Sequence, residues 1–411
     1  MAAEEDKESK EPKVQLSFPL LIIRTQIFNK IFDKLGTYRF SKAVSWIALA
    51  FVPIIAAIGL AMLLLSLYAL LSTPAAGEIA RELGPLGSLL LPGINPLIPI
   101  VYGWVALIIA IAIHEGAHGI AARSLGFRVK SSGLLFILIF PIGAFVDVDE
   151  KQIEKAQPKK AARVMAAGIG GNVVVGIICL IGIIAIANGL TPITDGVYAL
   201  YVEENTPAQE AGLLQNDIFR TIDNMTICYR EEITNILNQK NPGDTIQVTV
   251  DRGENWNEQF STVIELGQIE IENETRAYMG VVMIDLQTQE VLNTYTTISP
   301  KSITLYMIPP MIGSFNIPFS NFLTPFYTHA VLTQWSRISN LFFWIWFINI
   351  NLAIFNSLPI GPFDGGRIFD ITLKSFLKNR LEPKTISNIT KAVTYTLVLV
   401  IILIIIIPFL T

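Results

Sequence analysis

The sequence predicts a multi-pass α-helical membrane protein of about five spans plus a membrane-dipping hairpin segment, with a small β-rich domain inserted before the fourth span. Three observations predict it. Hydrophobic residues make up 52% of the 411 residues and charged residues only 16%, with a mean hydropathy of +0.51, which is too apolar for an ordinary soluble domain. Uncharged runs long enough to cross a bilayer recur, as from Ala43 to Gly77 and from Leu83 to Ile113. Residues 195–287 reverse that character: charges return, and apolar residues alternate with polar ones, as in Ile246-Gln-Val-Thr-Val-Asp.

Residues 1–42 read as a cytoplasmic tail followed by a possible interfacial segment. Met1 to Lys13 is of mixed charge and lacks the apolar core of a signal peptide. Residues 14–42 mix apolar side chains with Arg24, Lys30, Lys34, Arg39 and Lys42, which suits an amphipathic segment at a membrane surface or a short solvated helix. The first span is 43–71. Residues 96–190 form a membrane core. Its second span carries His114 and His118 at the far end. An apolar run broken by Pro141 and Gly143 follows, better as an extended hairpin dipping into the membrane than as a helix. The third span, rich in small residues such as Ala166, Gly168 and Gly171, permits close helix approach.

The β-rich domain occupies 195–287, with turn signals at Asn241-Pro-Gly-Asp and Arg252-Gly-Glu. Residues 288–336 include an uncharged stretch holding Pro309, Pro310, Pro318 and Pro325, read as an outer-surface or re-entrant segment. The fourth span lies in 337–370 and the fifth in 392–411. Cys179 and Cys228 fall in unlike surroundings, so neither a disulfide nor a cysteine-based zinc site is expected.

Charge orients this layout. Lys and Arg number 8 in residues 1–42, 8 in 123–163 and 6 in 360–391, but 1 in 72–95. The positive-inside rule places the first three in the cytoplasm and the insert outside the cell membrane. The net charge of −4 offers no nucleic-acid partner.

The chemistry begins at His114-Glu115-Gly116-Ala117-His118. On a helix, the two histidines four apart share a face and can share a metal, with Glu115 placed to act on a metal-bound water. Hydrolytic zinc needs a third protein ligand. The local extension that would supply a histidine at 124 is replaced by Ser124. His329 lies at the wrong end of the following span. A carboxylate in or beside a span is costly unless paired or metal-bound, which leaves Asp147, Asp149, Asp364 and Asp370. Asp364 ends an uncharged run, 338–363, and is the choice by elimination, with a plain turn residue in Pro-Phe-Asp-Gly-Gly as the alternative. Asn172 and Asn356 are polar residues within spans, each explicable as an interhelical hydrogen bond.

At these residues the chain resembles the site-2 protease family of intramembrane zinc metalloproteases, closest to its archaeal and eukaryotic members. His114-Glu115-x-x-His118, Gly168-x-x-x-Asn172 and Asn356-Ser-Leu-Pro359-Ile-Gly-Pro-Phe-Asp364-Gly365 carry the likeness, which covers about 96–190 and 338–370. The insert resembles a PDZ domain at Asn205-Thr-Pro-Ala, Ile222-Asp-Asn-Met and Tyr278-Met-Gly-Val.

The resemblance implies one Zn2+ per chain, held by His114, His118 and Asp364, with Glu115 as catalytic base. It places Asn356 and Pro359 against the substrate, with Asn172 beside them and Gly168 supporting the core. It implies a metalloendopeptidase that cuts transmembrane segments of membrane proteins in the bilayer, near its cytoplasmic side, in regulated intramembrane proteolysis. A peptide or protein partner for the PDZ-like domain is a further expectation. The competing expectation is an inactive PDZ-bearing membrane adaptor whose metal site is structural.

Overall fold

The computed structural model describes residues 13–88, 91–137, 140–271, 274–307 and 323–410. They fall into two compact units, one of Met1–Gly182 with Asn340–Thr411 and one of Ile183–Ser339.

The first unit opens with strands β1 (Val14–Ser17) and β2 (Leu20–Thr25) and the short helix α1 (Asn29–Gly36). Two further strands, β3 (Val129–Ile137) and β4 (Phe140–Val148), complete an antiparallel sheet in the order β1-β2-β3-β4. Here the structure departs from the expected amphipathic segment at 14–42: only residues 29–36 of its first part are helical. The physical reason is a distant partner. Leu21 and Ile23 of β2 pair with Phe136 and Leu134 of β3, and a ladder between segments so far apart in the chain leaves no local signal.

Among the described residues, five helices are long and apolar enough to cross a membrane. Four are α2 (Arg39–Ser72), α3 (Ile100–Ser124), α4 (Pro158–Ala187) and α5 (Trp335–Ser357). A shorter amphipathic helix, α6 (Asp364–Leu377), precedes the fifth, α7 (Pro383–Ile406). Ala48 and Val52 of α2, Ala122 of α3, Val164 and Ile169 of α4, Ala353 of α5 and Ile368 of α6 meet in one buried cluster. Mostly small or branched side chains at this junction let the backbones approach closely. Arg163 in α4 ties that helix to the start of α2: its Nη2 donates to Lys42 O at 2.8 Å and Ser45 Oγ at 2.9 Å, and its guanidinium lies 4.7 Å from the Trp46 ring centre.

The second unit is the insert. Strands β5 (Gly196–Val202), β6 (Ile218–Ile222), β7 (Thr245–Arg252), β8 (Glu258–Glu265) and β9 (Val281–Leu286) form an antiparallel sheet in the order β8-β7-β6-β5-β9. Alternate residues face a core of Val197, Phe219, Ile222, Ile246, Val248, Val250 and Ile264, closed by Ile233 from the helix Arg230–Leu237. The strand Tyr327–His329 pairs with Leu190–Pro192. Residues 308–322 of the segment read as outer-surface or re-entrant, with Pro309, Pro310 and Pro318, lie outside the described residues.

Candidate metal centre

His114 and His118 sit one turn apart near the C-terminal end of α3, 7% and 9% exposed. Their third neighbour arrives from far along the chain. Pro359 and Pro362 follow the end of α5 and stop it. The chain folds back, and Asp364 opens α6. This reversal is tight: a β-carbon on Gly365 or Gly366 would overlap the carbonyls of Ser357 and Ile360. Only glycine fits there, and the close approach aims the Asp364 carboxylate at α3.

Asp364 Oδ2 lies 3.1 Å from His114 Nε2 and 3.1 Å from His118 Nε2, and the two nitrogens are 3.2 Å apart. Zinc bonded tetrahedrally at about 2.0–2.1 Å spaces its ligands roughly 3.3 Å apart, so the triangle has the size zinc needs. The donor chemistry agrees. His118 Nδ1 is 2.8 Å from Val164 O, which can only accept, so Nδ1 carries the proton and Nε2 presents its lone pair. A lone pair facing a buried carboxylate oxygen is repulsive unless a proton or a metal ion lies between them, and three donor atoms converging on one point suit a metal ion. The three residues therefore fit a zinc ion, and three protein donors among the described residues is the number a hydrolytic zinc would use.

Glu115, half-buried beside the two histidines, is held from another element. Its Oε2 accepts the Val146 N–H of β4 at 2.9 Å. Asn172 of α4 is 0% exposed, and neither end of its amide has a hydrogen-bond partner among the described residues. Asn356 and Pro359 are half-buried at the end of α5 and in the turn after it.

The remaining candidates go elsewhere. Asp149 caps the helix Glu150–Glu154, accepting from the N–H of Lys151 at 3.1 Å. Asp370 pairs with Lys374 at 2.6 Å. His329 Nδ1 accepts the Val331 and Leu332 N–H groups in a local turn. Sequence reasoning missed two participants, the Val164 carbonyl and the Val146 N–H. Both are backbone groups, and their residue types carry no sign of the role.

Comparison with known proteins places the chain. It is 34% identical over 154 residues to the uncharacterized protein MJ0971 of Methanocaldococcus jannaschii, covering 38% of this chain and 40% of that one. It is 26% identical over 194 residues to the zinc metalloprotease RasP of Oceanobacillus iheyensis, covering 44% of each. The chain thus spans less than half the length of these two relatives. Among solved structures, the PDZ domain of an SdrC-like protein from Listeria monocytogenes is similar at 21% identity, covering 24% of this chain and 94% of that one, with a TM-score of 0.20. The model of peptidase family M50 matches residues 102–402, well over half of the chain. The protein belongs to peptidase family M50.

Proposed function

We propose that this chain hydrolyses peptide bonds within transmembrane segments of membrane proteins. The observation that carries the reading is the buried triangle of His114, His118 and Asp364 with Glu115 next to it in α3, a helix of membrane-spanning length and hydropathy. His114, His118 and Asp364 hold the zinc. Bound there, zinc supplies Lewis acidity, lowering the pKa of the attacking water towards about 7 and stabilising charge that develops on the scissile carbonyl. Glu115 takes the proton from that water and passes it to the leaving nitrogen.

A helical substrate must unwind before its peptide can be attacked, and its freed backbone groups need partners. Strand β4 supports such a role, since among the described residues it ends the sheet and pairs only with β3. An extended substrate would add along its free edge. Asn356, Pro359 and Asn172 would line the path beside the metal. The Lys and Arg of 123–163 and 360–391 support a cytoplasmic position for the ends of α3 and α5, and hence for the site. The insert, joined after one further crossing, would lie outside and take an extended peptide or protein partner.

A structural metal site in an inactive adaptor would be closed by a fourth protein ligand. Among the described residues the group has three, and a carboxylate suited to base catalysis stands beside it. The test uses purified full-length protein in lipid nanodiscs with a single-span substrate. Cleavage should stop on zinc chelation and return with zinc. Glu115→Gln should keep its zinc and lose at least about a hundredfold in rate. Full cleavage by that variant would remove Glu115 from the reaction.

A further inference from the structure

Strand β4 reaches the metal centre through the Val146 N–H, and that bond joins the base to the substrate edge. β3 and β4 run in regular register from Ser131↔Asp147 to Leu135↔Gly143. In such a ladder, alternate residues turn both backbone groups away from the neighbour. Val146 N–H is one that points off the edge, because Glu115 Oε2 accepts it at 2.9 Å. By the same alternation, the N–H and C=O of Ala144 point off the edge too. The free edge thus offers Ala144 to an added strand, and at Val146 its donor is already engaged by Glu115.

We propose that the Val146 N–H is the positioning donor for Glu115, fixing the base to the strand along which the substrate lies. The inference rests on the reading of the chain as a peptidase that binds its substrate as an added strand. A carboxylate on a side chain with three rotatable bonds samples many positions, and a single N–H on one oxygen removes most of that freedom. The other oxygen is left for proton transfer. Because the donor belongs to β4, a substrate paired at Ala144 arrives in fixed register with the base. The contact also stops an added strand at Val146, so the peptide continuing beyond the pair at Ala144 is the one delivered to Glu115. Val146 acts on Glu115 through its backbone, while its side chain packs against the buried helix cluster.

Three variants of the full-length protein separate the roles. Val146→Ala keeps the N–H and shortens the side chain. Replacing Val146 by the corresponding α-hydroxy acid keeps the side chain and deletes the N–H. The same ester exchange at Ala144 deletes the other outward donor. A hydrogen bond to a charged group supports an expected loss of about tenfold or more in kcat for the Val146 ester. KM and zinc affinity should stay within about twofold of the unaltered protein, and Val146→Ala, which keeps the N–H, should lose less kcat than the ester. The Ala144 ester should raise KM instead.

A Val146 ester with unchanged kcat, or with zinc affinity falling in step with kcat, overturns the proposal. A readout independent of cleavage is the Val146 amide in 15N-valine-labelled protein. Its resonance should shift and lose exchange protection in Glu115→Ala. An unmoved amide overturns the contact even if no substrate is ever cleaved. Failure of the parent protein to cleave in a zinc-dependent way would instead strike the peptidase reading.

Discussion

Gly168 of α4 lies directly against His118 of α3. A β-carbon at 168 would overlap His118 Nε2 and stand 2.7 Å from His118 Cε1 and 2.8 Å from His114 Cε1. The absence of a side chain lets α4 come close enough for its Val164 carbonyl to hold His118 Nδ1. Gly168→Ala should therefore push both imidazoles out of line and weaken zinc binding by about ten- to a hundredfold, the usual cost of disturbing a ligand's support. Gly116→Ala is the control: a β-carbon there meets nothing within 4 Å. Competition for zinc with a chromophoric chelator measures both, and equal affinities would dismiss the packing argument.

The opposite kind of change tests the third ligand. Asp364 and Asp370 lie six residues apart on α6, but only Asp364 reaches the histidines, while Asp370 pairs with Lys374. Asp364→Ala removes one of three donors and should lower zinc affinity by more than about a hundredfold, whereas Asp370→Ala should leave it within about threefold. Metal content after dialysis against a weak chelator distinguishes the two. Retention of stoichiometric zinc by Asp364→Ala would mean that another group holds the metal.

Much of this was legible in the sequence, for reasons that differ by element. The spans were readable because an uncharged run of twenty or so residues has few other uses. His114 and His118 were readable because helical spacing puts them on one face whatever the tertiary fold. Asp364 was reached by elimination and then through the resemblance, since nothing local says that the chain folds back at Ser357 and Gly365. The first two strands were missed. β1 and β2 hold apolar residues and Arg24, which would serve equally on an amphipathic helix, and the choice was made by β3, more than a hundred residues later. Asn172 was visible as a polar residue in a span, but not that its amide would be buried without a hydrogen-bond partner among the described residues.

The insert has its own weak point. Asp217 is 1% exposed, and Arg252 reaches it with two nitrogens, Nε to Oδ1 at 3.1 Å and Nη2 to Oδ2 at 2.6 Å. The Leu214 N–H adds a third bond at 2.9 Å. Asp217→Ala leaves a mostly buried guanidinium without its carboxylate and a backbone donor without its acceptor. A loss of about 3–5 kcal/mol in the stability of the insert is expected, the range for breaking one side of a buried pair. Hydrogen exchange of strands β5 to β7 in the full-length protein reads this, and protection equal to that of the parent protein would refute it.

Asp223 gives the insert a pH dependence of known sign. Lys240 Nζ lies 2.8 Å from its Oδ2 and the Gln247 N–H donates to its Oδ1 at 2.8 Å. The lysine's hydrogen bond, followed by that of the backbone N–H, holds the Asp223 carboxyl below its ordinary value. The folded state therefore keeps this proton off more readily than the unfolded chain. The resulting stability is full above the unfolded value of about 3.9 and fades as pH falls through the lower folded value. Both partners are about a third exposed, which limits the gain to about 1 kcal/mol or less. Asp223→Asn does not titrate and loses the lysine's charge pairing. It should be less stable than the parent at pH 7, with the gap closing below about pH 4. Hydrogen exchange of β6 in full-length protein, corrected for intrinsic rates across that range, would show the two converging. A gap that stayed constant with pH would show that the carboxylate's charge contributes nothing.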